Sequence, residues 1–132
     1  MALDPTALSG EAQEFLTERH LATLTTLRPD GRPHVCAIAF TWNNTTGRAL
    51  IITRANSVKV RNVLAHGDNA RAVVAQVDGL RWLALEGPAQ IIRDSKSVSE
   101  AVARYAERYR VPSENPERVV IAIKVDRILG RV

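Results

Sequence analysis

The sequence predicts a mainly β fold, six mostly antiparallel strands closing as a small barrel with three peripheral helices. Three observations carry this. Stretches rich in Leu, Ile, Val and Thr alternate with polar residues at the period of a half-buried strand. Turn residues punctuate them at hairpin spacing: Pro29-Asp30-Gly31, Asn43-Asn44-Thr45-Thr46-Gly47 and Asp78-Gly79. A length of 132 residues provides one core and not two, so residues 1–132 are expected to form a single domain, with 1–10 as a flexible lead-in.

Taken in order, Ser9 through Arg19 reads as a helix, with Ser9 as its cap and Ala12, Phe15 and Leu16 on one stripe. His20–Arg28 and Pro33–Trp42 are strands joined by a turn in which Pro29 fixes φ and Gly31 accepts a positive one. Arg48–Thr53 is a third strand, and Ser57–His66 a short helix striped by Val60, Val63 and Leu64. Ala70–Val77 and Leu80–Ile92 flank Asp78-Gly79, the strongest short hairpin signal in the chain. Ser97–Arg110 shows the clearest helical periodicity, through Val98, Ala101, Val102, Tyr105 and Tyr109, and Pro112 ends it. Val119–Leu129 closes the chain as the sixth strand. A doubly wound sheet is excluded because too few helices separate the strands. A closed barrel removes its own edges, which suits the pattern. So small a barrel has little interior for a ligand, which places a ligand on its outer wall, covered by a second subunit. Trp42 and Trp82 are candidates for that covering surface.

Composition narrows the chemistry. The chain is 45% hydrophobic and 24% charged, the profile of a folded globular protein. Met1–Gly10 is no charged-then-apolar leader and no apolar run approaches bilayer length, so a cytoplasmic protein without a membrane partner is expected. Cys36 is the single cysteine and cannot form an internal disulfide. His20, His34 and His66 show no zinc-ligand spacing, and no GxSxG elbow or Walker glycine pattern occurs. A net charge of +4 favours an anionic partner. With scattered basic residues and only two Trp, two Tyr and two Phe, a small acidic molecule explains that charge better than nucleic acid does. Such poverty in catalytic side chains fits an enzyme whose cofactor performs the chemistry.

The most informative stretch runs from Ile51 to Asn62. An apolar strand enters a polar turn, and Ser57 then opens a helix whose first turns carry Lys59, Arg61 and Asn62. The free N–H groups and positive dipole end of a helix N-terminus, beside two cations and an amide, make a seat for a phosphate.

Leu21–Val35, with its Pro29-Asp30-Gly31-Arg32-Pro33 turn, resembles the opening hairpin of the pyridoxamine 5'-phosphate oxidase-like, FMN-binding split β-barrels, and Lys59–Asn62 falls where that superfamily anchors its cofactor phosphate. Two later blocks, Gln76–Gly87 and Arg104–Pro112 with Asn115–Ile121, are similar to the deazaflavin-dependent group B, most of all its F420-dependent biliverdin reductase subgroup. The resemblance implies a homodimer with two cofactor sites at its interface. Coenzyme F420 would set its phosphate on Lys59, Arg61 and Asn62, with Ser57 and Thr53 close by. Its ring would lie along Pro33–Ala37, by His34, Val35 and Ala37, with Trp82 and Gln76 approaching. The implied reaction passes a hydride from the reduced deazaflavin to biliverdin or a similar conjugated substrate, with Arg54, Arg81 and Lys59 as candidates to hold its propionates or stabilise developing charge. No metal is implied, and no residue is singled out as proton donor. An FMN enzyme of the same fold, acting on pyridoxamine phosphate or another substrate, would use the same seat. A non-enzymatic carrier of flavin, deazaflavin or haem is the reading from a different class.

Overall fold

The computed structural model describes residues 2–132. Nine strands form one continuous, unclosed sheet ordered β3-β2-β6-β7-β8-β5-β4, with β9 pairing β7 and β1 pairing β9. The strands are β1 (Ala2–Leu3), β2 (Ala22–Leu27), β3 (Pro33–Ile38), β4 (Thr41–Asn43), β5 (Arg48–Arg54), β6 (Arg71–Asp78), β7 (Arg81–Ile92), β8 (Arg118–Lys124) and β9 (Arg127–Arg131). Three helices, α1 (Gly10–Phe15), α2 (Val58–His66) and α3 (Ser95–Arg108), accompany them. The architecture is a split barrel, wound on a core that includes Phe15, Phe40, Leu24, Leu83, Leu85, Ile121 and Ile123.

The expected closure is corrected: β3 and β4 end the path unpaired on their outer sides. Two of the six expected strands also break in the middle, each for a visible reason. Pro33–Trp42 parts into β3 and β4 at Ala39-Phe40, where the chain leaves one half of the barrel for the other. Val119–Leu129 parts into β8 and β9 at Val125-Asp126, whose N–H groups donate instead to Gly47 (3.0 Å) and Glu86 (2.9 Å). The long strand β7 makes both halves possible. One edge pairs β6 from Arg81 to Pro88; the other pairs β9 up to Glu86 and β8 from Ala89. Gly87 sits at the changeover, and a methyl group there would overlap the carbonyl of Lys124.

Side-chain caps set the helices. Ser9 accepts from Ala12 N–H at 3.1 Å, and Ser57 from Val60 N–H at 3.4 Å. Asp94, which the periodicity did not single out, caps α3 by accepting from Ser97 N–H at 2.9 Å, so the helix begins and ends two residues earlier than expected. Only Ala101 of α3 is buried. The helix is tied down at its end, where Arg108 donates to the carbonyls of Glu18 (2.8 Å) and Phe40 (2.7 Å) and to the Gln76 side chain (2.7 Å). Ala2–Leu3, within the expected flexible lead-in, instead pairs with β9; Met1 lies outside the described residues.

Candidate functional site

The split in the barrel is where a site forms. β3 and β5 face one another there without pairing, since β3 bonds only to β2 and β5 only to β4 and β8. A groove of about 360 Å³ opens between them. Ala37–Ala39 on one side and Ile51–Thr53 on the other give it an apolar, small-residue floor. Arg54, Lys59, Arg110 and Arg118 supply cations, with Tyr105, Ser113 and Asn115 beside them, and no carboxylate lines it. Four like charges gathered with no acid among them give the groove a positive potential. Apolar strand residues next to that charge suit a ligand that is flat at one end and acidic at the other.

The expected phosphate seat is only partly gathered here. Thr53, Arg54 and Lys59 line the groove, and Ser57 stands behind them, its hydroxyl 3.5 Å from that of Thr53. Arg61 does not join them. Two residues apart on a helix means about 200° of rotation, so Arg61 opens onto a separate hollow with Arg28, Asp30 and Arg32. Asn62 is buried, and its amide donates to the Thr26 hydroxyl at 3.0 Å. That bond ties α2 to β2, and Asn62 also lines the hollow onto which Arg61 opens.

The strand that was expected to support a ring divides by face. Val35 and Ala37 are exposed on the outside of the sheet, whereas His34 alternates inward, its Nδ1 buried without a partner. Gln76 is wholly buried; it donates to the Phe15 carbonyl at 2.9 Å and accepts from Arg108. It therefore faces the core rather than a ligand. Trp82 does lie on the outer face, but three strand spacings from β3, about 14 Å, too far to meet a groove ligand of its own chain. Trp42 is buried and donates to Asn44 at 3.2 Å, so it belongs to the core and not to a covering surface.

Arg81 also stands apart. Its guanidinium lies over the Phe15 ring and forms ion pairs with Glu18 (3.2 Å) and Asp78. The hydrogen bonds it donates to these carboxylates, to Glu18 first, hold its pKa above the usual arginine value. Three groove residues that single-sequence reasoning missed are Tyr105 in α3, Arg110 just beyond its end, and Arg118 at the start of β8. The signal that would have found them was present: Arg104–Pro112 and Asn115–Ile121 were singled out as blocks, without a reason to aim them at Lys59.

One further surface matters. The outer face of β3-β2-β6-β7-β9 carries, in cross-strand rows, Val35-Thr25-Val73 and Ala37-Thr23-Ala75-Ala84-Leu129, with Val77 beside Trp82. Its charges are Arg71, Arg127 and Arg131 at the ends of β6 and β9, and Glu86 inside β7, opposite Val73 on one side and Arg127 on the other. Val35 and Val77 are each 58% exposed. The uncharged patch around Thr23, Ala75 and Ala84 is of a breadth unusual on a monomer. Ala37 belongs both to this face and to the groove.

The unclosed sheet, with a cationic groove in its split, places the protein in the class of split β-barrels. The family model described as pyridoxamine 5'-phosphate oxidase matches residues 8–131, and the chain belongs to that family. Over 125 residues, 95% of this chain and 89% of the relative, it is 50% identical to a protein of Mycobacterium tuberculosis (strain CDC 1551 / Oshkosh) named F420H(2)-dependent biliverdin reductase. Among solved structures it is similar to a conserved hypothetical protein of Mycobacterium tuberculosis, Rv2991, at 25% identity and a TM-score of 0.78, covering 95% of this chain and 85% of that one. A structure titled F420 reductase shares the fold at 24% identity and a TM-score of 0.72, covering 93% and 98% of the two chains.

Proposed function

We infer that this chain is an F420-dependent oxidoreductase, and we propose that it reduces biliverdin or a similar conjugated acceptor. The observation that carries the reading is the 50% identity, along almost the whole chain, to a reductase of that name. The chemistry of the groove agrees with it. Coenzyme F420 joins a flat deazaflavin ring to a phosphodiester and a carboxylate-bearing chain, and the groove offers apolar strand residues beside four unopposed cations.

Reduced F420 supplies a hydride equivalent when bound. The chain's part is to hold, orient and exclude. Lys59 and the Thr53 hydroxyl hold the phosphate, with Ser57 fixing the start of α2 behind them. Ala37–Ala39 and Ile51–Ile52 form a dry floor on which charge-charge contacts strengthen. No carboxyl or imidazole group lines the groove, which leaves water or a groove side chain such as Lys59 or Tyr105 to supply the proton that completes the reduction.

The working unit we propose is a homodimer. The outer face of β3-β2-β6-β7-β9, apolar around Ala75, is its contact surface, and because Ala37 borders both surfaces, the second subunit forms a wall of the groove. In that arrangement Trp82 reaches the groove of the other subunit rather than its own.

The test is fluorescence titration of the protein with F420 and, separately, FMN, followed by addition of biliverdin to the reduced complex. Tight F420 binding with loss of biliverdin absorbance is expected. Preference for FMN would move the protein to the oxidase-like branch of the family.

A further inference from the structure

Arg108 is a half-buried cation without a counter-ion. Three of its N–H donors go to neutral acceptors, the carbonyls of Glu18 and Phe40 and the Gln76 side chain, and the rest make no bond. The Phe40 and Tyr109 rings lie against it at 4.7 and 5.2 Å, contacts that ease the charge without cancelling it. The Glu18 carboxylate, whose field reaches it, is paired with Arg81. Burial accordingly holds the Arg108 pKa below the ordinary arginine value. A charge drawn out of water is costly until an opposite charge meets it.

This guanidinium lines a cleft of about 270 Å³ between the end of α1, β4 and α3, which shares no residue with the groove between β3 and β5. Leu16 and Trp42, both buried, give the cleft an apolar wall. Arg104, one helical turn before Arg108, adds a second cation, and Glu107 is the one carboxylate on the rim. None of the four ion pairs among the described residues involves any of these three. Thr41, also on the cleft, is only 6% exposed, and its hydroxyl has no hydrogen-bond partner among the described residues.

We propose that this cleft is a separate binding site for a small aromatic monocarboxylate, its acid group meeting Arg108 and Arg104 and its ring lying against Trp42 and Leu16. Charge sets one limit: two cations against one exposed carboxylate leave room for a single negative charge. Size sets the other, because the cleft is just under the roughly 300 Å³ at which drug-sized pockets begin, so one ring fits. A flat ring suits the Trp42 indole, whose N–H is already bonded to Asn44 and leaves only apolar surface to cover. The Thr41 hydroxyl is a donor for the carboxylate. The site does not depend on the proposed function.

The chain has two tryptophans, Trp42 in the cleft and Trp82 on the outer face, so their indole N–H signals in a nitrogen–proton NMR spectrum report the two places separately. The probe is benzoate, titrated into the full chain. It is expected to shift the Trp42 signal saturably, with a Kd below about 1 mM, and to leave Trp82 unmoved. Benzyl alcohol, the same ring without the charge, should bind at least about tenfold more weakly. Arg104→Gln, which removes a side chain bonded to nothing else in the fold, should weaken benzoate about 5- to 20-fold. Thr41→Val should weaken it about 2- to 5-fold, and decides the matter alone if Arg104→Gln does not fold. Arg108 stays in place, because its three bonds support the fold. Lys59→Ala alters only the groove and should keep the benzoate Kd within about twofold. A Trp42 signal that does not saturate overturns the site, as does equal binding of the alcohol. An unchanged Kd in both cleft variants overturns it too. Weakening by Lys59→Ala instead would put the acid in the groove and leave the cleft without a ligand.

Discussion

The Tyr109 hydroxyl lies 3.3 Å from the Phe40 amide nitrogen and 3.0 Å from the Phe40 carbonyl oxygen. One side chain thus meets both backbone groups of the residue at which the chain crosses from one half of the barrel to the other. The same hydroxyl is 2.8 Å from the His20 carbonyl, and Arg108 donates to Phe40 as well. A strand break at a buried residue leaves polar groups that must be paired. Here the end of α3 pairs them, and it thereby fixes Ala37–Ala39, the floor of the groove, relative to Tyr105 and Arg110.

That clamp has a pH signature. Burial raises the Tyr109 pKa above the ordinary tyrosine value, outweighing the nearby Arg108 charge. A group whose folded pKa is raised contributes stability that is present below its unfolded pKa, near 10, and lost as pH rises through the folded value. Unfolding experiments should show stability falling above about pH 10. Tyr109→Phe should be less stable near pH 8 and should lack part of that alkaline loss.

Lys59→Ala should weaken F420 binding by about 1.5–3 kcal/mol, the scale of a charge-assisted hydrogen bond, which is a rise in Kd of about 10- to 150-fold. Its melting temperature should stay close to that of the wild type. An unchanged Kd would place the phosphate elsewhere. Arg81→Ala is the control from the other side of the molecule, and its F420 Kd should remain within about twofold of wild type.

Ala75→Arg sets a charge in the middle of the outer face, beside Thr23 and Ala84. Light scattering should find the wild type at twice the 14.5 kDa chain mass and the variant at the chain mass itself. The variant should also bind F420 more weakly, having lost a groove wall. A monomeric wild type at micromolar concentration would remove the proposed interface.

Asp126 is held below the usual carboxylate range, first by its hydrogen bonds from Arg71 at 2.8 and 3.0 Å. A depressed carboxylate contributes stability above its unfolded pKa, near 3.9, and loses it as pH falls through the folded value. Both partners are about half exposed, so the pair is worth no more than about 1 kcal/mol. The difference in melting temperature between wild type and Asp126→Asn should therefore be small at pH 7 and should shrink further as pH falls below the ordinary carboxylate range.

The sequence exposed the hairpins well. Asp78-Gly79 and Pro29-Asp30-Gly31 carry turn chemistry in two or three residues, and both turns stand where the residues put them. Ser57 as a helix cap was equally local. What stayed hidden depends on partners distant in the chain. Gln76 looks like any polar strand residue until Phe15 and Arg108, 61 and 32 positions away, are found beside it. The tie of Asn62 to Thr26, 36 positions away, is equally out of reach of local pattern. Arg61 was within reach of single-sequence reasoning, because helix geometry alone sets it about 200° from Lys59.

Strand β7 serves β6 along one edge and β9 and then β8 along the other, with Gly87 at the handover. Neither half of the barrel can be melted while the other keeps all its hydrogen bonds, because every division of the sheet at its middle runs through this one strand. Heat or denaturant should therefore dismantle the molecule in a single cooperative step. Gly87→Ala, which sets a methyl against the Lys124 carbonyl, should lower the whole transition by on the order of 3 kcal/mol rather than loosen one half of it.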